Sequence, residues 1–370
     1  MNEILKISFV GTKGIPARFG GLEVLVEEIS KRLAVKKYRI RVYTENNTVS
    51  GKPSSSFFGV NLVKIPSLNI PFLQKIGREV FTLLKELTNK ADVIHIHGYS
   101  FLVPIWKLLG FKVILSTDGL EWKRKSYGRF GRKVVYLSYK ISSLFADICT
   151  FDARFVKSYY KTRWNISGPF ITYGIKDYDD KKFDLGTLGL KKNNYFLFVG
   201  RLVPEKGIGN LVQIFNGIKN PNRKLVILGK DPLGGKYERY LKRIASKNVR
   251  FMEPVFGSAY KSIVKNCYIQ IRPSIDNSEG INPSLIEAIY FGAPLLVSDV
   301  PQNQEALGQY GYYFKANDYE TLKNTIEEID QNEKIEQPRV HELALFAKKR
   351  YNWDKTIEIH EKMYEHLSSL

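Results

Sequence analysis

Two carboxylates eight positions apart, Glu279 and Glu287, bracket the stretch of this chain best suited to chemistry. Between them run Gly280, Ile281, Asn282 and Pro283. Asparagine caps helices through its side-chain oxygen. Proline suits the first helical position, where the N–H would be unpaired anyway. The spacing predicts a helix from Pro283, with Ile286, Ala288 and Ile289 apolar within it and Gly292 at its C-terminal cap. Glu279 then falls in the loop before the helix and Glu287 about one turn inside it. Amides at a helix start attract anions. The arrangement would set one carboxylate near each end of a ligand whose middle is a phosphate.

Other residues could serve the same ligand. Tyr195 to Val199 reads as a buried strand, followed by a turn that Arg201 and Lys206 flank. Two cations at a strand end can grip a diphosphate. Asp118 lies just beyond the strand Lys112 to Ser116, where open α/β sheets place their ligands; a turn aspartate before Gly119 is the plainer alternative. The first strand, Leu5 to Val10, runs into a loop holding Gly14, Gly20 and Gly21, and a helix follows from Leu22. Glycines let a ligand approach the backbone, although their spacing matches no dinucleotide or P-loop fingerprint. His95 and His97 share one side of a strand. They read as hydrogen-bonded structural histidines, since no third ligand lies close in sequence. Asp177, Asp179 and Asp180 fall in a charged linker and read as solvated. No metal site is expected.

These side chains need a scaffold. At 370 residues the chain can bury more than one core. Strands followed by glycine loops and helices recur in both halves, which predicts an α/β protein of two Rossmann-like domains. The polar stretch from Lys176 to Lys192 marks the boundary. The expected domains are 1–175 and 176–352, with 353–370 crossing back to the first. Ser50 to Gly59 is expected to be loop and Ile171 to Ile175 a short strand; Trp122 to Lys140 mixes basic and aromatic residues, which suits single-stranded nucleic acid or anionic lipid, an ordinary amphipathic helix being the plainer alternative.

Composition narrows the partners. The net charge is +20, and residues 1–175 carry +16 of it. That imbalance implies an anionic partner for the first half: nucleic acid, an acidic membrane surface or a phosphorylated substrate. Two cysteines without ligand spacing fit a reducing compartment. The N-terminus reads as a strand rather than a signal peptide, and no window is apolar enough to span a membrane.

Gly-Arg-Leu-Val-Pro-Glu-Lys-Gly at 200–207, followed by Glu279-Gly280 and Glu287, resembles family four of the glycosyltransferases. The glycine loop at 11–21 and Asp118-Gly119-Leu120-Glu121-Trp122-Lys123-Arg124 are similar to a bacterial subgroup that includes rhamnosyltransferases of polysaccharide assembly. The resemblance implies a retaining enzyme of GT-B architecture that needs no cofactor and no metal. By position it implies that Arg201 and Lys206 neutralise the donor diphosphate, that Glu287 binds ribose hydroxyls and that Glu279 contacts the donor sugar. The amides of Gly280, Ile281 and Asn282 would meet sugar and phosphate. Asp118 takes the place of a histidine near the sugar, and Gly14, Gly20 and Gly21 face phosphate and acceptor. Asn282, where many relatives have glycine, and Pro283 depart from the commoner pattern.

The implied donor is dTDP-L-rhamnose and the implied acceptor a lipid-pyrophosphate-linked saccharide. The expected location is cytoplasmic, peripheral at an anionic inner membrane face, with Leu68 to Leu73 and Trp122 to Tyr139 as contact candidates. A UDP- or GDP-sugar donor, a sugar-nucleotide epimerase and a non-catalytic sugar-nucleotide sensor remain alternatives. A nucleic-acid partner is not expected, because no recognised motif accompanies the charge.

Overall fold

Leu5–Val10 (β1) alternates little and buries its last four residues, as a strand covered on both faces must. It belongs to a computed structural model that describes residues 4–17, 20–45, 48–49, 52–66, 71–176, 178, 181–219, 221–232, 234–332 and 340–369. The expectations for Arg18 and Phe19 in the glycine loop, for 68–70, for the side chains of 71–73, and for Asp177, Asp179 and Asp180 lie outside the described residues. The chain divides into two units. One comprises 1–122, 129–174 and 352–370; the other comprises 123–128 and 175–351.

The first unit continues with α1 (Gly21–Ala34), β2 (Tyr38–Thr44) and a small antiparallel pair, β3 (Thr48–Val49) and β4 (Lys52–Pro53). Then come β5 (Ser56–Phe57), β6 (Val60–Lys64), α2 (Pro71–Thr88), β7 (Val93–His97), α3 (Val103–Leu108), β8 (Lys112–Ser116), α4 (Arg129–Phe145), β9 (Ile148–Thr150) and α5 (Arg154–Trp164). Its main sheet has the order β5-β6-β2-β1-β7-β8-β9. Only the edge strand β5 is antiparallel. The C-terminal helix Trp353–Ser368 packs beside α1, tied by Lys36–Glu361 at 2.7 Å and Lys37–Glu365 at 2.9 Å.

The second unit holds β10 (Tyr195–Val199), α6 (Ile208–Gly217), β11 (Lys224–Leu228), α7 (Lys236–Ile244), β12 (Val249–Met252), α8 (Gly257–Lys265) and β13 (Ile269–Arg272). It ends with α9 (Pro283–Tyr290), β14 (Leu295–Ser298), α10 (Pro301–Leu307), β15 (Tyr312–Phe314), α11 (Tyr319–Asp330) and α12 (Val340–Arg350). Its six parallel strands run β12-β11-β10-β13-β14-β15. The order reverses between β10 and β13, and in the first unit between β1 and β7. Chains leaving a sheet on either side of such a point open a crevice at the strands' C-terminal ends. Two Rossmann-like sheets were the expectation, and two are found.

Two local expectations fail, and a third reading holds in part. Residues 50–59 hold β4 and β5 rather than loop alone. Pairing of Ser56 and Phe57 with β6 overrides a run of serines that disfavours strand. Residues 171–175 form no strand; only a bridge between Phe151 and Phe170 extends the sheet there. The plainer helical reading of Trp122 to Lys140 holds only from Arg129, after a short 3-10 turn at Glu121–Lys123. Ser126 and Gly128 are poor helix formers, and 123–128 packs within the second unit.

One buried carboxylate organises the first unit's sheet. Glu86 on α2 accepts from Ser8 at 2.5 Å, Tyr43 at 2.8 Å, Arg41 at 2.7 Å and the amide of Ala91 at 2.9 Å. Its removal would leave the Arg41 guanidinium half-buried and unneutralised. Glu86→Ala should therefore lower the unfolding free energy of this unit by about 3 kcal/mol, against about 1 kcal/mol for Ser8→Ala. Urea titration of both variants measures the difference.

Candidate functional site

Helix α9 begins as expected. The Asn282 side chain accepts from the Ser284 amide at 3.0 Å, and Pro283 fills the first turn. The helix ends in paired bonds, Gly292 N–H to Ile289 O at 3.1 Å and Ala293 N–H to Ala288 O at 3.0 Å. Gly292 has a φ of +73°, as this C-terminal motif requires. Gly280 and Ile281 are buried ahead of the helix. Among the described residues, none accepts from the amides of Gly280, Ile281 or Asn282. Three consecutive amides ahead of α9, at the positive end of its dipole, thus have no acceptor among the described residues.

Beside them lies a cation-rich cluster. Arg201 Nη2 donates to Glu279 Oε1 at 2.7 Å, and Lys206 Nζ donates to Glu279 Oε2. Lys206 is almost wholly buried, whereas Arg201 remains largely open. Burial alone would push the Glu279 carboxyl up; Lys206, Arg201 and Arg124 together hold it well below the usual carboxylate range. Burial pushes Lys206 down to about 8, partly offset by Glu279 and reinforced by Arg272 and Arg201. One carboxylate thus faces four cations, and the surplus positive charge suits an anionic ligand.

The loops carrying this cluster leave β10 and β13, the two strands flanking the reversal of strand order. They touch at Gly207, whose φ is +68°. A Cβ there would stand 1.9 Å from the carbonyl oxygen of Pro273. Only glycine lets the Lys206 turn approach the β13 loop this closely.

Glu287 occupies a different environment from Glu279. Its carboxylate accepts from Tyr178 and, at 2.9 Å, from Tyr260. Burial raises its proton affinity, countered by those two hydroxyls and by Lys176 and Arg272. Two polar hydroxyls therefore occupy both oxygens of the carboxylate that the resemblance assigns to ribose.

Several site residues escaped the sequence reading. Arg272 ends β13, is buried and donates to Ser284 Oγ at 3.0 Å. Burial lowers its proton affinity, opposed by Glu279, Tyr260 and Glu287. An arginine closing an apolar strand was a signal that could have found it. Glu205 is buried and accepts from the Ser126 amide at 3.1 Å and from the Ser126 hydroxyl. That bond anchors the segment carrying Arg124. No spacing rule links positions so far apart.

The remaining expected residues lie in the first unit. Asp118 is half-buried two residues beyond β8, close enough to help push the Tyr139 phenol up, after burial and Glu121. Gly14 has a φ of +91° and would collide with Thr44 if it carried a Cβ. Gly20 caps α1 with a φ of +103°, and Gly21 is its first residue. The glycine loop is braced from α1: the amides of Lys13 and Ala17 donate to Glu23 at 3.2 Å and to Glu27 at 2.6 Å. His95 is hydrogen-bonded to Tyr364 at 2.7 Å and Ser116 at 2.8 Å, as a structural histidine should be. His97 stacks on it without a hydrogen-bond partner, and burial together with His360 pushes it down to about 3. Among the described residues, no group of three or more His, Cys, Asp or Glu could hold a metal ion.

Comparison with known proteins gives this geometry a context. Residues 180–350 match the family described as glycosyl transferases group 1. That match spans nearly the whole second unit. Residues 4–176 match a family described as a domain of unknown function (DUF1972). The O-antigen chain mannosyltransferase RfbU of Salmonella typhimurium is 28% identical over 142 residues, 38% of this chain and 40% of that protein. The D-rhamnosyltransferase WbpZ of Pseudomonas aeruginosa is 26% identical over 241 residues, 63% of this chain and 61% of that protein. The chain thus spans well under two thirds of each of these curated relatives. Among solved structures, sucrose-phosphate synthase of Thermosynechococcus elongatus superimposes with a TM-score of 0.81 at 17% identity, covering 99% of both chains. Anabaena HepE, solved with UDP-glucose, gives 0.73 at 15% identity, covering 99% of this chain and 100% of that one. These structures share the two-sheet fold of this chain.

Two outcomes follow from the cluster. Lys206 is charged below about pH 8 and loses its proton above it. The dissociation constant of a nucleoside diphosphate should therefore rise above that pH, approaching tenfold per unit, and Lys206→Arg should remove the inflection. Gly207→Ala should weaken the same ligand at least tenfold without altering any charge, because the two loops must part. Isothermal titration across pH 6 to about 10 reads both.

Proposed function

We propose that the protein is a retaining glycosyltransferase that moves a sugar from a nucleoside diphosphate onto a lipid-linked saccharide in cell-surface polysaccharide synthesis. The observation that carries this is the Glu279 cluster: a buried carboxylate outnumbered by cations, in the loop that leads into α9, at the switch point of a Rossmann sheet. A diphosphate leaving group needs its charge neutralised where water is excluded. Lys206, Arg201 and the start of α9 supply that. Glu279 is held ionised and can accept from sugar hydroxyls while orienting both cations. Glu287 is assigned the nucleoside end, where Tyr178 and Tyr260 would exchange their bonds for those of a ribose.

In the proposed reaction the bond from the anomeric carbon to the diphosphate breaks as the acceptor oxygen bonds to the same carbon. The acceptor's proton passes to the departing phosphate oxygen. Positive charge gathers on the sugar ring, and a carboxylate stabilises it. Asp118 is assigned that stabilising and positioning role, with Gly14, Gly20 and Gly21 on the acceptor side. Retention of configuration rests on the family resemblance. So does L-rhamnose from dTDP-rhamnose as the favoured donor. The acceptor reading is supported by the basic first half and by the O-antigen relative. It places the protein in the cytoplasm, peripheral at the inner face of the membrane. No described helix is long and apolar enough to cross that membrane.

A second donor reading has its own support. HepE binds UDP-glucose, and the curated relatives are named for mannose and D-rhamnose. A UDP- or GDP-sugar donor is therefore the alternative. Thermal-shift titration with dTDP, UDP, GDP and oligonucleotides separates the readings. Stabilisation by dTDP alone supports the rhamnose donor, UDP or GDP selectivity overturns it, and an oligonucleotide response would restore the nucleic-acid reading. With the matched nucleotide sugar, Asp118→Asn and Glu279→Gln should each lower kcat at least 100-fold, about 3 kcal/mol in barrier height. Near-normal turnover would remove either residue from the chemistry.

A further inference from the structure

Seventeen large apolar side chains are exposed among the described residues, and ten of them belong to α2, α3 and α4 or the residue capping α3. A soluble surface scatters such residues; a concentration of this kind marks a contact face. Topology puts the three helices on one side of the sheet. The connections β6 to β7, β7 to β8 and β8 to β9 all step toward the β9 edge. Parallel crossovers are right-handed, so α2, α3 and α4 cover the same face. The connections β1 to β2 and β2 to β6 step the other way, which puts α1 on the opposite face. Hydrogen bonds confirm the neighbourhood: Ser100 Oγ donates to Glu79 of α2 at 3.0 Å, and Ser142 of α4 donates to Ser100 O. Lys107 of α3 reaches Asp147, just past α4, at 2.6 Å.

The pattern along α4 is specific. Its inner side buries Val135, Ser138, Tyr139 and Ser142. Its outer side presents Phe130, Lys133, Leu137, Lys140 and Leu144, three or four positions apart and so in one stripe. Phe130 is 80% exposed, and Leu108, at the end of α3, is 86% exposed. Neither α3 nor α4 contains an acidic residue. The acidic residues of α2 turn inward, Glu79 to Ser100 and the Phe101 amide, Glu86 to the Ser8 cluster. Apolar side chains interleaved with cations, with the one exposed carboxylate beside them, Asp147, neutralised by Lys107, fit a surface that is itself apolar and anionic.

We infer that the outer face of α2, α3 and α4 docks on an anionic lipid bilayer, with Phe130, Leu137, Leu144 and Leu108 entering the headgroup boundary and Lys133 and Lys140 meeting lipid phosphates. This rests on the membrane-linked acceptor proposed above and names the surface that would serve it. A protein partner or a second copy of the chain would not need a stripe free of carboxylates.

Flotation of the full chain with phosphatidylcholine vesicles, with and without about one quarter phosphatidylglycerol, tests it. The wild type should float only with the anionic vesicles, and less as salt rises. Lys133→Glu/Lys140→Glu and Leu108→Ser/Leu144→Ser should each lose at least tenfold in partitioning, while nucleotide binding and melting temperature hold. The charge pair, being fully exposed, remains informative should the leucine pair unfold. Undiminished flotation of the charge pair overturns this face even if membrane binding is real. Failure of the wild type to float overturns both, and a concentration-dependent mass that these substitutions abolish identifies a self-association surface instead. Loss of nucleotide-sugar turnover with flotation intact would count against the enzyme reading alone.

Discussion

The second unit depends on a single electrostatic constraint: Lys206 and Glu279 are buried together, and each offsets the cost of burying the other's charge. Removing a charge from water costs several kcal/mol, and a paired geometry returns enough only when further hydrogen bonds complete it. Arg201 supplies the second bond to Glu279. The pair forces the loop after β10 against the loop after β13, so the turn between them must be as thin as a backbone allows. Gly207 is that turn. The same proximity brings Arg272 within reach of Ser284, which links the cations to the first turn of α9.

The two glutamates illustrate how environment divides one residue type into two roles. Glu279 is surrounded by cations and held ionised. Glu287 sits between two tyrosine hydroxyls, where burial outweighs the stabilisation they offer. In the proposed function, ribose hydroxyls replace the bonds that Tyr178 and Tyr260 make to Glu287.

The first unit shows the opposite allocation of polar groups. Two of its buried carboxylates, Glu86 and Glu27, brace a sheet and a loop. With the acidic side chains of α2 turned inward and none on α3 or α4, the outer helices carry only positive charge. The positive charge of that outer face is thus partly a consequence of where the unit's few carboxylates are placed.

The sequence by itself determined the periodic and the local. Apolar runs ending in glycine located the strands of both sheets, because a strand buried on both faces tolerates little else. Asn282, Pro283 and Gly292 delimited α9, because helix ends leave orphan backbone groups that few residue types satisfy. What only the tertiary structure decided depends on distance in the chain. Arg272 and Arg124 joined the Glu279 cluster, Tyr178 and Tyr260 closed on Glu287, and Glu205 captured Ser126 across 79 positions. Ser56 and Phe57 became strand only because β6 offered unpaired backbone groups. By spacing, Glu279 and Glu287 read as carboxylates at the two ends of one ligand. Folding made them unlike, because the partners that tune a buried charge are chosen by packing and leave no mark in the spacing of the residues themselves.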